Sequence, residues 1–171
     1  VRPGMDVIAV MDEPALVTFA PGRSNSPVPI EAAADAMVRV MAETSIPVGV
    51  HVCGDTDWRM VAGLQPAWIS WDLAALGDGF LNATDAIAET VSHGTGIMWG
   101  MVPTDPAPVD TDRIRSRYGT AVTRLVIDGA PADALTSASL ATPACGLAGV
   151  SVGGADVVMD RLRNVAEMVD A

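Results

Sequence analysis

Five short apolar runs alternate along the chain with segments whose apolar residues recur every three or four positions. The runs are VIAVM (Val7 to Met11), the stretch from Val48 to Cys53, AWISWD ending at Asp72, GIMWGMV (Gly96 to Val102) and SLATPA closed by Cys145. They are short, largely uninterrupted by charge and rich in β-branched residues, which predicts strands. Between Glu31 and Glu43 the polar residues Glu31, Asp35, Arg39 and Glu43 return every fourth position, while Ala33, Ala36, Met37, Val40 and Met41 occupy another face. This is the pattern of an amphipathic helix. Further helices are expected just after the second strand, from about Asn82 to Ser92 with Asn82 or Thr84 as cap, from Asp110 to Asp128, and from Ala155 to Val169. In the last of these, Val158, Leu162, Val165 and Val169 form one stripe. Gly22, Pro27 and Pro29 mark the segment after Pro14 as a loop.

Apolar strands alternating with amphipathic helices imply a parallel sheet covered by helices, hence an α/β fold. Two architectures satisfy the pattern: an open, doubly wound sheet of five strands, or part of a (β/α)8 barrel. The 171 residues fit the open sheet, whereas a complete barrel takes about 250. No repeat or linker divides the chain, so residues 1–171 read as a single unit.

Charge narrows the partners. Ten basic against 21 acidic side chains give a net charge of −11, a field that repels nucleic acid and anionic membrane surfaces. All ten basic residues are arginine, which excludes mechanisms built on a lysine Schiff base, a phosphate-loop lysine or a lysine base. No apolar run approaches the roughly 20 residues that span a bilayer, and no signal-peptide core follows Arg2. With two cysteines and no disulfide framework, the chain is expected to be cytoplasmic. It begins at Val1, without a methionine, on the approach to a strand, as expected either where an upstream portion is missing or after ordinary processing.

In a parallel sheet the reactive groups collect at the carboxyl ends of the strands. Those ends carry Asp12 and Glu13, then His51 with Cys53, then Asp72, then Pro103 and Thr104, and finally Cys145. His51 and Cys53 are two apart on a strand and leave it on the same side. With Cys145 they make a sulfur-rich donor set suited to zinc. The same residues also fit a plain core reading, since free cysteine is among the most buried residue types. His93 closes a helix on the opposite rim and reads as structural. Gly153 and Gly154 precede the last helix, a weak phosphate signal with no basic residue near it in sequence.

The motifs VMDEPAL (10 to 16), HVCG (51 to 54), the acid closing AWISWD at 72, GMVPT (100 to 104) and TPACGLAG (142 to 149) occur in an order that resembles the C-terminal catalytic barrel of cobalamin-independent methionine synthase. More broadly, the order resembles the superfamily joining that enzyme to zinc thiol methyltransferases and uroporphyrinogen decarboxylase. The resemblance covers nearly the whole chain. It implies a (β/α)8 barrel of which this chain holds the last five β-α units. It also implies zinc as cofactor, with His51, Cys53 and Cys145 as ligands and Asp72 in the acidic place. The family carries glutamate there, so Asp72 would bind directly, bind through water, or only orient another ligand. By the same resemblance Asp12 contacts the ammonium of a small thiol substrate, most simply homocysteine, with Glu13 as a second candidate, and the reaction is S-methylation to methionine.

Other activities on this scaffold stay open: a corrinoid methyl donor, thiol addition to an epoxide, or a decarboxylase-like reaction. An inactive partial barrel that binds zinc is a further alternative. Five units of eight leave two unpaired parallel edges, so the chain is expected to form a homo-oligomer or to pair with its missing N-terminal segment.

Overall fold

The computed structural model describes residues 6–20, 22–23, 26–74, 79–105, 109–167 and 169. Each apolar run becomes a strand: β1 (Ala9–Asp12), β2 (Val48–Val52), β3 (Trp68–Trp71), β4 (Gly96–Val102) and β5 (Ser139–Pro143). They form one all-parallel sheet in the order β1-β2-β3-β4-β5. The connections are helical, with α1 (Ile30–Ala42), α2 (Trp58–Gly63), α3 (Thr84–Ser92), α4 (Thr111–Ile127), α5 (Ala132–Ser137) and α6 (Val152–Ala166). The α/β class and the five parallel strands match the sequence pattern. Among the described residues β1 and β5 are edge strands, and no pairing closes the sheet.

The register sorts the side chains into two faces. Met11, Val50, Ile69 and Ile97 form one row across the sheet, and Val52, Trp71, Trp99 and Ala141 form another on the same face. These residues share a single core with Met37 of α1, Val61 of α2, Ile87 of α3, Leu125 of α4, Leu135 of α5 and Val158 of α6. Between those rows runs a third, Asp12, His51, Ser70, Met98 and Leu140, on the other face. None of its members joins that core.

Aromatic packing ties sheet to helices. Trp71 stacks on Phe80 with ring centroids 3.9 Å apart, and Trp58 meets Phe80 edge-on at 5.5 Å. Trp99 contacts Trp71 at 6.0 Å and Tyr118 of α4 at 5.1 Å. Such pairs contribute about 0.5–1.5 kcal/mol each beyond burial.

The helix ends follow local chemistry. Asp57 accepts a hydrogen bond from the Met60 N–H at the start of α2, and Asp110 accepts from Arg113 at the start of α4. Gly129, with φ of 108°, lets the chain leave α4 in the left-handed region while the Ala130 N–H bonds back to the Leu125 carbonyl.

Four details differ from the pattern reading. The segment after Pro14 is not all loop: Pro14–Phe19 is a 3-10 turn that buries Leu16, and Thr56 Oγ1 donates to the Leu16 carbonyl at 2.6 Å. Helix α5 was not visible, because six residues hold too few turns to show a period. Neither Asn82 nor Thr84 caps α3; a 3-10 turn at Leu81–Ala83 leads into it, and the Thr84 hydroxyl bonds instead to the Leu81 carbonyl and the Asp128 carboxylate. Helix α6 begins at Val152 rather than Ala155, because the Ser151 hydroxyl caps it by accepting from the Gly154 N–H. Gly153 and Gly154 therefore lie inside its first turn. Val1 and Arg2, on which the reading of the N-terminus rests, lie outside the described residues.

Candidate metal centre

β2 is buried along its whole length, and His51 near its carboxyl end is only 7% exposed. Across the sheet, in direct register on β3, stands Ser70, itself 6% exposed. Its Oγ lies 2.8 Å from His51 Nδ1. The other ring nitrogen, Nε2, is buried and has no hydrogen-bond partner among the described residues. A buried polar atom without a partner is uncommon and calls for a reason.

Two thiols lie close to it. One residue past β2, Cys53 brings its thiol to the same side as His51. Cys145, two residues past β5, reaches the group from the far edge strand. The ligand atoms of His51, Cys53 and Cys145 all lie within 4.8 Å of one another. Two intervening strands separate β2 from β5, so only a sheet whose strand ends converge brings these side chains together. Gly100 of β4 shows how tight the convergence is. A Cβ there would lie 2.7 Å from the Trp71 carbonyl oxygen, 2.9 Å from Cα of Ala144 and 3.1 Å from Cα of Asp72.

Burial shapes the electrostatics in opposite senses for the two near ligands. It lowers the pKa of His51, against an upward pull from Asp12 and Asp72. Cys53 is exposed as a residue, yet crowding around its sulfur raises the thiol's pKa, and the neighbouring Cys145 and Asp12 add to the rise. Without a cation, the group thus holds a neutral imidazole and a protonated thiol.

The expected acidic positions divide. Asp72 is buried at the end of β3, near enough to act on His51 through its charge, but its carboxylate falls outside the three-residue group. Its side chain is one methylene shorter than glutamate. Asp12 lies in the same row as His51 and is exposed. Glu13 follows β1 at the entry to the 3-10 turn, with its N–H bonded to the His51 carbonyl at 3.1 Å. Asp12 and Glu13 both line a cavity of about 720 Å³ between β1, the 3-10 turn and α1. That cavity is otherwise mostly apolar and includes none of the three clustered residues, so it and the reactive cluster are separate places. His93 closes α3, three residues before β4, at the amino-end rim expected for it.

The cluster fits zinc on its own chemistry. Two thiols and one imidazole are soft and borderline donors, three in number, as in zinc sites that keep a position for substrate. The partnerless Nε2 is the imidazole atom such an ion would take. Two polar residues went unnoticed in the sequence. Ser70 was legible as the lone hydroxyl of an apolar strand, two positions before Asp72 and so on its side of the sheet. Thr142 of β5, whose buried Oγ1 has no hydrogen-bond partner, gave no comparable signal, because it sits in a run of small residues. The sequence matches no protein-family model, and no curated protein is significantly similar to it.

Proposed function

We propose that this chain is a zinc-dependent S-methyltransferase unit acting on a small thiol, most simply homocysteine. One observation carries the reading: His51 and Cys53 at the end of β2 and Cys145 beyond β5, with two strands between them, present their ligand atoms within 4.8 Å of one another, while His51 Nε2 has no hydrogen-bond partner among the described residues. The order of short motifs, which resembles the cobalamin-independent methionine synthase barrel, supports the same ligand set.

In this reading His51, through Nε2, and the thiolates of Cys53 and Cys145 hold the ion. When bound, zinc stabilises a coordinated substrate thiol as thiolate and so makes a sulfur nucleophile at neutral pH. Asp12, on the same face and in the same row as His51, pairs with the substrate ammonium and fixes the orientation of its sulfur. Glu13, facing the neighbouring cavity, is the alternative partner. The exposure of Cys53 leaves one side of the cluster open for substrate and methyl donor to approach. The thiol proton passes to solvent; the sulfur–methyl bond forms as the donor–methyl bond breaks, and the demethylated donor keeps that electron pair, taking a proton from solvent where the leaving atom is an amine nitrogen.

The architecture consistent with this reading is a barrel segment. A strand order that follows the chain without reversal, joined by right-handed crossovers, keeps its helices on one side. The buried helix residues do gather with one face of this sheet. The unpaired edges of β1 and β5 are then the places where a second copy or an N-terminal segment completes the sheet, and the setting is cytoplasmic.

The test is metal analysis of protein purified without chelator. The expected result is about one zinc per chain or per assembled site, lost together with thiol methylation in Cys145→Ser. Protein with no zinc and two freely titrating thiols overturns the proposal. Supplying methyltetrahydrofolate, methylcobalamin or a simple alkylating electrophile to the zinc-loaded protein identifies the donor.

A further inference from the structure

The His51 ring has two nitrogens with very different surroundings. Nδ1 is 2.8 Å from Ser70 Oγ, and both residues are more than nine-tenths buried. Nε2 is equally enclosed but meets no hydrogen-bond partner. In neutral imidazole one nitrogen carries the proton and the other a lone pair, and the neighbours decide which.

We infer that Ser70 is a positioning residue: its hydroxyl oxygen accepts the Nδ1–H of His51, fixes that tautomer, and so leaves the Nε2 lone pair aimed at the cluster. The inference rests on the metal-centre reading above and adds a residue to it. If the proton sat on Nε2, a buried N–H would have no acceptor, the costlier kind of orphan. With the proton on Nδ1, the N–H is satisfied by Ser70 and the remaining lone pair is the form a cation needs.

Backbone pairing makes the arrangement rigid. His51 and Ser70 are direct partners in the β2–β3 register, so the ring and the hydroxyl are held by the sheet and not by a loop. The imidazole therefore need not rotate or exchange its proton before binding. Removing the hydroxyl leaves the ring in place but frees the choice of tautomer, a change of chemistry and not of fold.

The experiment uses the full chain with zinc ion alone as probe. Zinc affinity is measured by competition with a chromophoric chelator in wild type, Ser70→Ala, Ser70→Thr and Ser70→Val. A loss of about 10- to 100-fold is expected in Ser70→Ala and Ser70→Val, with Ser70→Thr restored to within a few-fold, since it returns the hydroxyl. Affinity in Ser70→Ala within about twofold of wild type overturns the inference, as does a Ser70→Val that binds like Ser70→Thr. Nitrogen-15 NMR of the metal-free protein gives an independent readout. The chain has two histidines, so a His93→Gln variant assigns the His51 signals. The Nδ1–H tautomer in wild type, becoming mixed in Ser70→Ala, supports the inference; an Nε2–H tautomer in wild type overturns it. Wild type that binds no zinc but shows Nδ1–H defeats the metal-centre reading and leaves the role of Ser70 standing.

Discussion

Two side chains two residues apart respond to the same enclosure in opposite directions. The folded protein holds His51 below its ordinary value of 6.5, so between the lowered value and 6.5 the unfolded chain binds the extra proton. Stability of the metal-free protein should then rise with pH through that window and fall as pH drops through it from 6.5. Cys53 is held above its ordinary value of 9.0, so above that pH the unfolded chain ionises first and stability should fall. Thermal melts of chelator-treated protein across pH check both arms: the acid arm, from 6.5 downward, should flatten in His51→Gln, and the alkaline arm, above 9.0, should weaken in Cys53→Ser. Among the acidic groups, Asp72→Asn should weaken zinc binding by about tenfold or less, because its carboxylate stands outside the ligand group. Cys145→Ser should abolish stoichiometric zinc. A chelator competition ranks the two.

The elements are held together by a few close approaches. Gly100 in β4 is the one walled in by backbone alone, with backbone atoms of residues from both neighbouring strands or their ends within 3.1 Å of where a side chain would begin. Gly100→Ala cannot be relieved by a flexible side chain. We expect a loss of about 1–3 kcal/mol or more by chemical denaturation, together with weaker zinc binding, because the Asp72 and Ala144 backbones must spread. Phe80 anchors the opposite face, fully buried between Trp71 and Trp58. Phe80→Ala should cost about 3–5 kcal/mol while leaving the zinc stoichiometry of the folded fraction unchanged, which separates core from site. An element that is long or wholly apolar, as α4 and β4 are, is legible in the sequence; one defined by a single buried residue, as the 3-10 turn is by Leu16, is not.

For the whole molecule, the edges matter most. Val10 and Leu140 stand more than two-fifths exposed on the two edge strands, and Ile127 at the end of α4 and Val152 at the start of α6 are 69% and 82% exposed. Apolar edges of a parallel sheet favour covering by another chain, although the charge of −11 opposes simple self-association at low salt. The expected outcome in sedimentation velocity is a species larger than the monomer that grows with ionic strength. A monomer at all salt concentrations, with one cooperative unfolding transition, argues for a self-sufficient open sheet.

Sequence alone determined the class of the fold, because the period of apolar residues dictates strand or helix and their alternation dictates parallel pairing. It also determined which residues were candidates, since His51 and Cys53 share a side of a strand by simple alternation. Whether Cys145 joins them depends on how far the sheet curves across β3 and β4, and no local pattern encodes that. The same holds for Ser70 and Asp72. Both sit on the expected side of β3, but strand register puts the Ser70 hydroxyl on the imidazole, while the Asp72 carboxylate falls outside the three-residue group. These distances belong to the packed sheet, where backbone convergence at Gly100 decides which side chains meet.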